Sequence, residues 1–160
     1  MSRQTIRITT NSPEETCALA QVLGPCLAAG DVLLLSGEVG AGKTHFARCL
    51  IQGLLEEPED VPSPTYTLVQ SYPGPEGEIW HADLYRLTDT TEIEELGLID
   101  AFETAICLVE WPDRLGPLTP PAALSLTLEA PAGDDSRVLT CEWTAPAWTP
   151  RVKELADVES

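Results

Sequence analysis

The sequence predicts an α/β fold: a three-layer sandwich around a mixed, largely parallel central sheet, with a C-terminal β-hairpin. Two short apolar runs, residues 32–35 and 106–109, contain no alternation, which is typical of strands buried on both faces of a parallel sheet. Residues 124–129 and 138–143 alternate around a Gly-Asp-Asp turn, and this pattern indicates a hairpin. A chain of 160 residues is large enough for one such domain with one core.

The N-terminal elements can be placed from alternation and from capping residues. Residues 5–9 alternate between polar and apolar side chains and predict a strand. Asn11 and Ser12, followed by a proline and two acids, are typical of a helix start. Gly30 then marks the end of a helix that is expected to run to about Ala29. One strand and one helix are therefore expected before the first apolar run.

The rest of the chain predicts short alternating elements. In order these are a helix over residues 43–55, strands over 65–72 and 78–83 joined by a Pro-Gly turn, a short acidic helix over 88–96, and the apolar strand over 106–109. Residues 1–143 are predicted to form a single domain. Residues 144–160 are predicted to be a C-terminal tail, in which a short helix is an open alternative.

The chain is strongly acidic, with a formal net charge of −17. An acidic surface repels phosphate backbones, which argues against tight direct binding of nucleic acid by this chain alone. An anionic ligand would have to be held by local positive elements. Those elements are loop amides, a helix N-terminus, a lysine or a metal ion.

The cysteines and the apolar runs bear on the compartment. Five cysteines are scattered along the chain without a C-x-x-C pair, and this predicts buried free thiols instead of a disulfide framework or a zinc site. The apolar runs are far shorter than the roughly 20 residues that span a bilayer, and residues 1–10 lack the apolar core of a secretion signal. The protein is therefore predicted to be cytoplasmic, with no membrane partner.

Residues 37–44 read Gly-Glu-Val-Gly-Ala-Gly-Lys-Thr and fit the pattern G-x-x-x-x-G-K-[ST] at every fixed position. The segment lies between a predicted buried strand and a predicted helix, as in P-loop NTPases. Glycines let successive backbone amides turn inward around phosphates, and the helix N-terminus adds partial positive charge. The sequence therefore predicts a P-loop NTPase-like fold that binds a nucleoside triphosphate with magnesium. A glycine-rich turn beside an incidental lysine is the alternative.

The residues of this loop have separate expected roles. Lys43 neutralises the outer phosphates, and the hydroxyl of Thr44 can ligate magnesium. The other positions are expected to contribute backbone amides. The predicted nucleotide-binding residues of the loop are Glu38, Val39, Gly40, Ala41, Gly42, Lys43 and Thr44.

A P-loop needs an acidic partner for its metal, normally at the end of a neighbouring buried strand. Glu110 follows the apolar run at residues 106–109, at the edge where ligands collect in an open α/β sheet. Asp83 ends the predicted strand over residues 78–83. We expect Glu110 to be the metal ligand, directly or through water, and Asp83 to position the attacking water or hold the magnesium shell. Either residue could instead be a helix cap or a solvated carboxylate.

Three further residues lie near these positions in the chain. Thr65 follows Ser63-Pro64 and either approaches the terminal phosphate or the metal, or belongs to an ordinary proline turn. Trp111 directly follows the predicted metal ligand and either packs in the core or lies over the site. His81 is interpreted as a structural residue.

Five blocks of the sequence together resemble one known family. They are Gly-Glu-Val-Gly-Ala-Gly-Lys-Thr (37–44), Ser-Pro-Thr-Tyr-Thr-Leu-Val (63–69), His-Ala-Asp-Leu-Tyr-Arg-Leu (81–87), Glu-Leu-Gly (95–97) and Leu-Val-Glu-Trp-Pro (108–112). In this order they are similar to TsaE, also called YjeE, the small bacterial ATPase of tRNA threonylcarbamoyladenosine biosynthesis. The resemblance implies ATP and Mg²⁺ as ligands, and hydrolysis that supports the partner proteins TsaD and TsaB. It also implies that this chain contacts tRNA only indirectly, through its complex with TsaD and TsaB.

The resemblance also implies roles for individual residues. It makes residues 1–143 a single P-loop ATPase domain, with Lys43 on phosphate and Thr44 and Glu110 on magnesium. It puts Asp83 and Trp111 at or near the ATPase centre. The adenine is expected between Ser12 at the first helix and Ser136 at the hairpin, through backbone contacts.

Two other classes of function stay open at this point. A small-molecule kinase would need a substrate pocket and an arginine-rich lid, whereas this chain has few arginines. A nucleotide-gated interaction module would bind nucleotide without hydrolysing it. A GTPase is disfavoured because the chain has no Asn-Lys-x-Asp segment.

Overall fold

A computed structural model of the chain describes residues 3–37, 42–55, 69–74, 77–85, 87, 89–130 and 135–159. Within these residues, seven strands form one sheet in the order β1-β7-β6-β2-β5-β4-β3. The strands are β1 (Gln4–Thr10), β2 (Val32–Ser36), β3 (Val69–Gly74), β4 (Gly77–Asp83), β5 (Ile106–Glu110), β6 (Leu124–Glu129) and β7 (Arg137–Trp143). The helices are α1 (Pro13–Leu23), α2 (Lys43–Leu54), α3 (Thr90–Glu95), α4 (Leu98–Thr104) and α5 (Trp148–Glu159), with 3₁₀ segments at Gly24–Cys26 and Pro112–Leu118.

The centre of the sheet is parallel and its two sides are antiparallel. Strand β2 pairs in parallel with both β5 and β6, and β4 pairs in parallel with β5. Strand β7 pairs antiparallel with both β6 and β1, and β3 pairs antiparallel with β4. The predicted α/β sandwich with a mixed sheet and a C-terminal hairpin is confirmed, because the unalternating runs form β2 and β5 at its centre.

The two faces of the sheet carry separate apolar clusters. Leu33 and Leu35 of β2 pack with Phe46 of α2 in one cluster, which also takes in α1 and α5. Val32 and Leu34 of the same strand belong to the other cluster, which includes α3 and α4. Successive side chains of a strand point to opposite faces. A strand covered on both faces therefore needs four apolar residues in a row.

Helix α1 begins as predicted and ends earlier than predicted. The Ser12 side chain accepts a hydrogen bond from the backbone N–H of Glu15 at 3.1 Å, and the Glu15 carboxylate accepts one from the N–H of Asn11 at 2.7 Å. This pairing resembles a capping box. The expected run to Ala29 is wrong: α1 ends at Leu23, Pro25 has no N–H to continue the helical hydrogen bonding, and the chain turns into a 3₁₀ segment.

The C-terminal residues contribute to the core on the α1 side. The side chains of Trp148, Val152 and Leu155 on α5 are buried in the same cluster as α1 and α2. The indole N–H of Trp148 donates to the carbonyl of Ala122 at 2.7 Å. The boundary of the domain at residue 143 stays a prediction. Among the described residues, no helix has the length and apolar character needed to cross a bilayer.

The prediction of free thiols is wrong for two of the five cysteines. Cys17 on α1 and Cys49 on α2 form a disulfide, with their Cα atoms 5.3 Å apart. The two residues are separated by 32 positions in the chain, and only the side-by-side packing of α1 and α2 brings them together. Cys107 and Cys141 are buried free thiols, and burial raises the pKa of each to about 12.

The disulfide should stabilise the folded chain by restricting the unfolded chain. Closing a loop of 32 positions is expected to contribute about 3.7 kcal/mol to the free energy of unfolding. Replacing Cys17 and Cys49 together by alanine should therefore lower the urea midpoint of unfolding measured by circular dichroism. A reducing agent should lower the midpoint of the wild-type chain by a similar amount and leave that of the double variant unchanged. Equal midpoints for the wild-type chain with and without reducing agent would contradict the disulfide.

Candidate functional site

The carboxyl ends of β2, β4 and β5 meet at one edge of the sheet. In the parallel register, Glu110 at the end of β5 lies opposite Leu35 of β2 and opposite Asp83 of β4. Such an edge is where ligands bind in open α/β sheets. The pairing therefore places the Glu110 carboxylate between the strand that leads into residues 37–44 and the strand that ends in Asp83.

The start of α2 has the backbone geometry of a glycine-dependent turn. Gly42 precedes the helix with φ 104°, in the left-handed region, and a residue without a Cβ adopts this conformation at little cost. The first N–H groups of a helix have no partner within the helix and attract anions. The predicted contacts of Glu38, Val39, Gly40 and Ala41 lie outside the described residues, as does Thr65.

Thr44 and Glu110 meet side chain to side chain across the sheet edge. The Thr44 hydroxyl lies 2.8 Å from Oε1 of Glu110 and 3.1 Å from Oε2, and donates to the carboxylate. Glu110 is 2% exposed. The two residues are 66 positions apart in the chain, so this contact is a product of the parallel pairing of β2 with β5.

The pair of oxygen donors fits a magnesium ion. Mg²⁺ prefers oxygen ligands, and proteins usually hold it by one or two carboxylates together with substrate phosphates and waters. The described residues contain no group of three or more His, Cys, Asp or Glu side chains that could enclose a metal. Thr44 and Glu110 would supply two ligands of such an ion, and phosphate oxygens would supply others, as in a P-loop site.

Lys43 is the first residue of α2 and is buried at 5% exposure. Its ammonium donates a hydrogen bond to the carbonyl of Gly37 and lies 4.0 Å from the ring centre of Trp111. Burial lowers the pKa of Lys43 because it removes water from the charged form, and the negative charges of Glu110 and Asp83 oppose that shift. A phosphate at this position would meet a cation that is poorly hydrated.

Trp111 has a strained backbone that directs its side chain over the lysine. Its φ of 59° makes it the non-glycine residue with a positive φ in the described part of the chain, a conformation that costs about 1–2 kcal/mol. Its N–H donates to the carbonyl of Leu35 at 3.3 Å, and its ring packs 4.8 Å from the ring of the half-exposed Tyr85. Trp111 combines the two expected positions: its ring lies over Lys43 and also packs against the core cluster that includes α3 and α4.

Asp83 lies beside this group at the end of β4 and is 7% exposed. Its Oδ1 accepts a hydrogen bond from the N–H of Tyr85 at 3.0 Å, and the next residue, Leu84, donates its N–H to the carbonyl of Glu110 at 3.1 Å. The end of β4 is thus tied to the end of β5 by both strand pairing and this additional bond.

His81 contacts the site, which the sequence did not indicate. It is fully buried, and its Nε2 lies 2.7 Å from Oε2 of Glu110. Its Nδ1 has no hydrogen-bond partner among the described residues. The sequence contains one indication of this contact. His81 is two residues before Asp83 on the same strand, and residues two apart on a strand point to the same face of the sheet.

Ser12 and Ser136 lie at the same end of the sheet as the glycine turn. The register of β1 with β7 pairs Thr10 with Arg137, so the residues just beyond Thr10 and just before Arg137 are close. A Cβ placed on Gly42 would lie 3.7 Å from Nε of Arg137, which puts the hairpin beside the start of α2. The Ser12 side chain is used as the cap of α1, which leaves backbone groups for any ligand.

The comparison with known families identifies one match over most of the chain. The profile of the family described as "Threonylcarbamoyl adenosine biosynthesis protein TsaE" matches residues 10–139. The chain is 41% identical over 122 residues to the tRNA threonylcarbamoyladenosine biosynthesis protein TsaE of Rickettsia conorii, covering 76% of this chain and 70% of that protein. It is 39% identical over 132 residues to the protein of the same name from Bacillus subtilis, covering 82% and 81%.

A more distant relative and a solved structure extend the match to almost full length. The TsaE protein of Treponema pallidum is 32% identical over 136 residues, covering 84% of this chain and 98% of that protein. The crystal structure of YdiB from Bacillus subtilis superposes with a TM-score of 0.79 at 28% identity, covering 100% of this chain and 99% of YdiB. On both sequence and fold, this chain belongs to the TsaE family of threonylcarbamoyl adenosine biosynthesis proteins.

Proposed function

We propose that the chain is a magnesium-dependent ATPase required for the threonylcarbamoyladenosine modification of tRNA, and that it acts with TsaD and TsaB. Membership of the TsaE family supports the pathway. The observation that carries the proposed activity is the contact of Thr44 with Glu110 at 2.8 Å, directly beside the buried ammonium of Lys43. In this proposal Thr44 and Glu110 bind the metal and Lys43 binds phosphate. Lys43 and Thr44 are the first two residues of α2, and Glu110 ends β5.

The binding of ATP in this proposal uses the start of α2. Lys43 exchanges the carbonyl of Gly37 for the outer phosphates, and the backbone amides of residues 38–42 surround them. Thr65 approaches the terminal phosphate. The backbone near Ser12 and Ser136 holds the adenine.

Thr44 and Glu110 would hold the magnesium ion in the same proposal. Bound there, Mg²⁺ neutralises charge on the phosphates and stabilises the charge of the transferred group. Asp83 accepts a hydrogen bond from the attacking water and orients it. The Trp111 ring covers Lys43 and keeps bulk water away from the ammonium, so the interaction of Lys43 with phosphate is stronger than in water. The reaction converts ATP and water into ADP and phosphate.

The charge of the chain favours action through partner proteins. With a formal charge of −17, the chain is repelled by tRNA, and the contacts with tRNA therefore belong to TsaD and TsaB. Residues 1–143 form the ATPase domain in this proposal, and α5 supports it by covering the face of the sheet that also carries α2.

Reconstitution tests the whole proposal. Hydrolysis of ATP by the chain should rise when TsaB and TsaD are added. With threonylcarbamoyl-adenylate supplied as the donor, modified tRNA should form only when this chain and ATP are both present. A chain with Lys43→Ala should fail in both measurements, because it lacks the cation that binds phosphate. Modification that proceeds equally well without the chain would refute the proposal. Phosphate transferred to an added acceptor would instead indicate a kinase.

Replacing Glu110 by glutamine tests the metal assignment. The amide keeps the size of the side chain and removes the charge that would hold Mg²⁺, so hydrolysis should fall by about 100-fold. The Mg²⁺ concentration that gives half-maximal activity should rise. Glu103→Gln, on the exposed side of α4, is the matched control and should behave as the wild-type chain. Unchanged hydrolysis in Glu110→Gln would show that Glu110 does not bind the metal.

Replacing Asp83 by asparagine tests the role of the second carboxylate. ATP binding measured by calorimetry should be retained, while turnover should fall by about 100-fold or more, because asparagine lacks the charge and the basicity of the carboxylate that orients the water. Asp89→Asn is the control, since asparagine also serves as a helix cap at that position. Loss of ATP binding in Asp83→Asn would mean that Asp83 is needed for the structure of the site instead.

A further inference from the structure

We propose that His81 is a positioning residue that fixes the carboxylate of Glu110 in the orientation in which it meets Thr44. The inference rests on the proposed magnesium site and deepens it. His81 does not touch the nucleotide in this proposal. It acts only through Glu110, and it determines how tightly the chain holds the metal.

The strand pairing brings the imidazole to the carboxylate. His81 of β4 lies opposite Leu108 of β5, and Asp83 lies opposite Glu110. Residues two apart on a strand point to the same face, so His81 and Glu110 share the face that α2 covers. The ring extends toward the carboxyl end of β5, and Nε2 comes within 2.7 Å of Oε2 of Glu110.

Each carboxylate oxygen of Glu110 accepts a hydrogen bond from a different side chain. Oε1 accepts from the Thr44 hydroxyl at 2.8 Å, and Oε2 accepts from His81 at 2.7 Å. The second contact of Thr44, at 3.1 Å to Oε2, is longer. A carboxylate held by donors on both oxygens has a defined plane. With Thr44 alone as its donor, the side chain of Glu110 could rotate about its terminal bond.

The hydrogen bonds also identify the donor in the contact of His81 with Glu110. The carboxylate of Glu110 accepts the hydrogen bond from Thr44, and an ionised carboxylate has no proton to donate. Nε2 of His81 is therefore the donor to the ionised carboxylate. Bonds from an imidazole N–H to a carboxylate are strong, because the acceptor is charged.

The need to fill space in the core does not explain why a histidine is buried at position 81. The residue is 0% exposed, and an apolar side chain would fill the position without a polar atom that lacks a partner. Among the described residues, Nδ1 has no hydrogen-bond partner, so the contact with Glu110 is the polar interaction that the described structure assigns to this ring. Partners of this kind, which orient a metal ligand from behind, typically change metal affinity 10–100-fold when they are removed.

Binding of Mn²⁺ as a substitute for Mg²⁺ tests the proposal without relying on hydrolysis. Electron paramagnetic resonance measures free Mn²⁺ in the presence of the chain and a non-hydrolysable ATP analogue. His81→Leu should weaken Mn²⁺ binding by about tenfold or more. His81→Gln should stay within about threefold of the wild-type chain, because its amide N–H reaches Glu110 from a similar position. Binding of the analogue without metal should be unchanged in both variants.

Two controls separate positioning from a general loss of structure. Trp148→Phe removes another buried side chain's hydrogen bond, the one to Ala122, far from this edge of the sheet, and should leave Mn²⁺ binding unchanged. If His81→Leu does not fold, His81→Asn takes its place, because the shorter amide cannot reach Glu110 and should weaken binding as leucine would. Recovery by Gln, with weak binding in Leu or Asn, supports the proposal.

The same measurements distinguish a failure of the role of His81 from a failure of the proposed metal site. Wild-type Mn²⁺ affinity in His81→Leu would overturn the positioning role, as would equal losses in His81→Gln and in His81→Leu or His81→Asn. Glu110→Gln is measured in the same assay. Loss of Mn²⁺ binding in Glu110→Gln with no loss in His81→Leu would refute the role of His81 alone. No loss in Glu110→Gln would refute the metal site itself.

Discussion

The site depends on the parallel pairing of β2 with β5, which sets Leu35 opposite Glu110. Because β2 leads toward α2, this single register brings a carboxylate from the middle of the chain to the hydroxyl of Thr44. A shift of one residue would turn the Glu110 side chain to the other face of the sheet, where α3 and α4 pack. The apolar residues that bury both faces of β2 and β5 therefore hold the functional groups in place as well as the core.

In the structure, the polar groups of the site form hydrogen bonds with one another. In the proposed function, the nucleotide and the metal ion would replace these bonds. The ammonium of Lys43 contacts the carbonyl of Gly37 and the ring of Trp111. The hydroxyl of Thr44 donates a hydrogen bond to the carboxylate of Glu110. Burial lowers the pKa of Lys43, and two carboxylates oppose the shift. In the proposed function, one lysine and one helix N-terminus attract the anionic nucleotide to a chain whose formal charge is −17.

Several features followed from local patterns, and several did not. The side chains around Ser12 predict the start of α1, and the apolar runs predict β2 and β5. Helix capping and burial on both faces of a strand each produce a pattern within a few neighbouring residues. The end of α1 lies before the glycine stop at Gly30, because Pro25 interrupts the helix earlier in the chain. The disulfide of Cys17 with Cys49 was missed because it depends on how two helices pack. Helix α4 was not predicted.

By itself, the sequence determined the order of the seven strands, the P-loop pattern over residues 37–44 and the family, since each depends on short runs of neighbouring residues. It also named Glu110 and Asp83 as acids at strand ends. Only the tertiary structure decided that these acids lie opposite each other, that Trp111 turns its ring over Lys43, and that His81 bonds to Glu110. Those contacts depend on strand order and register, which a chain acquires only when its distant segments pair.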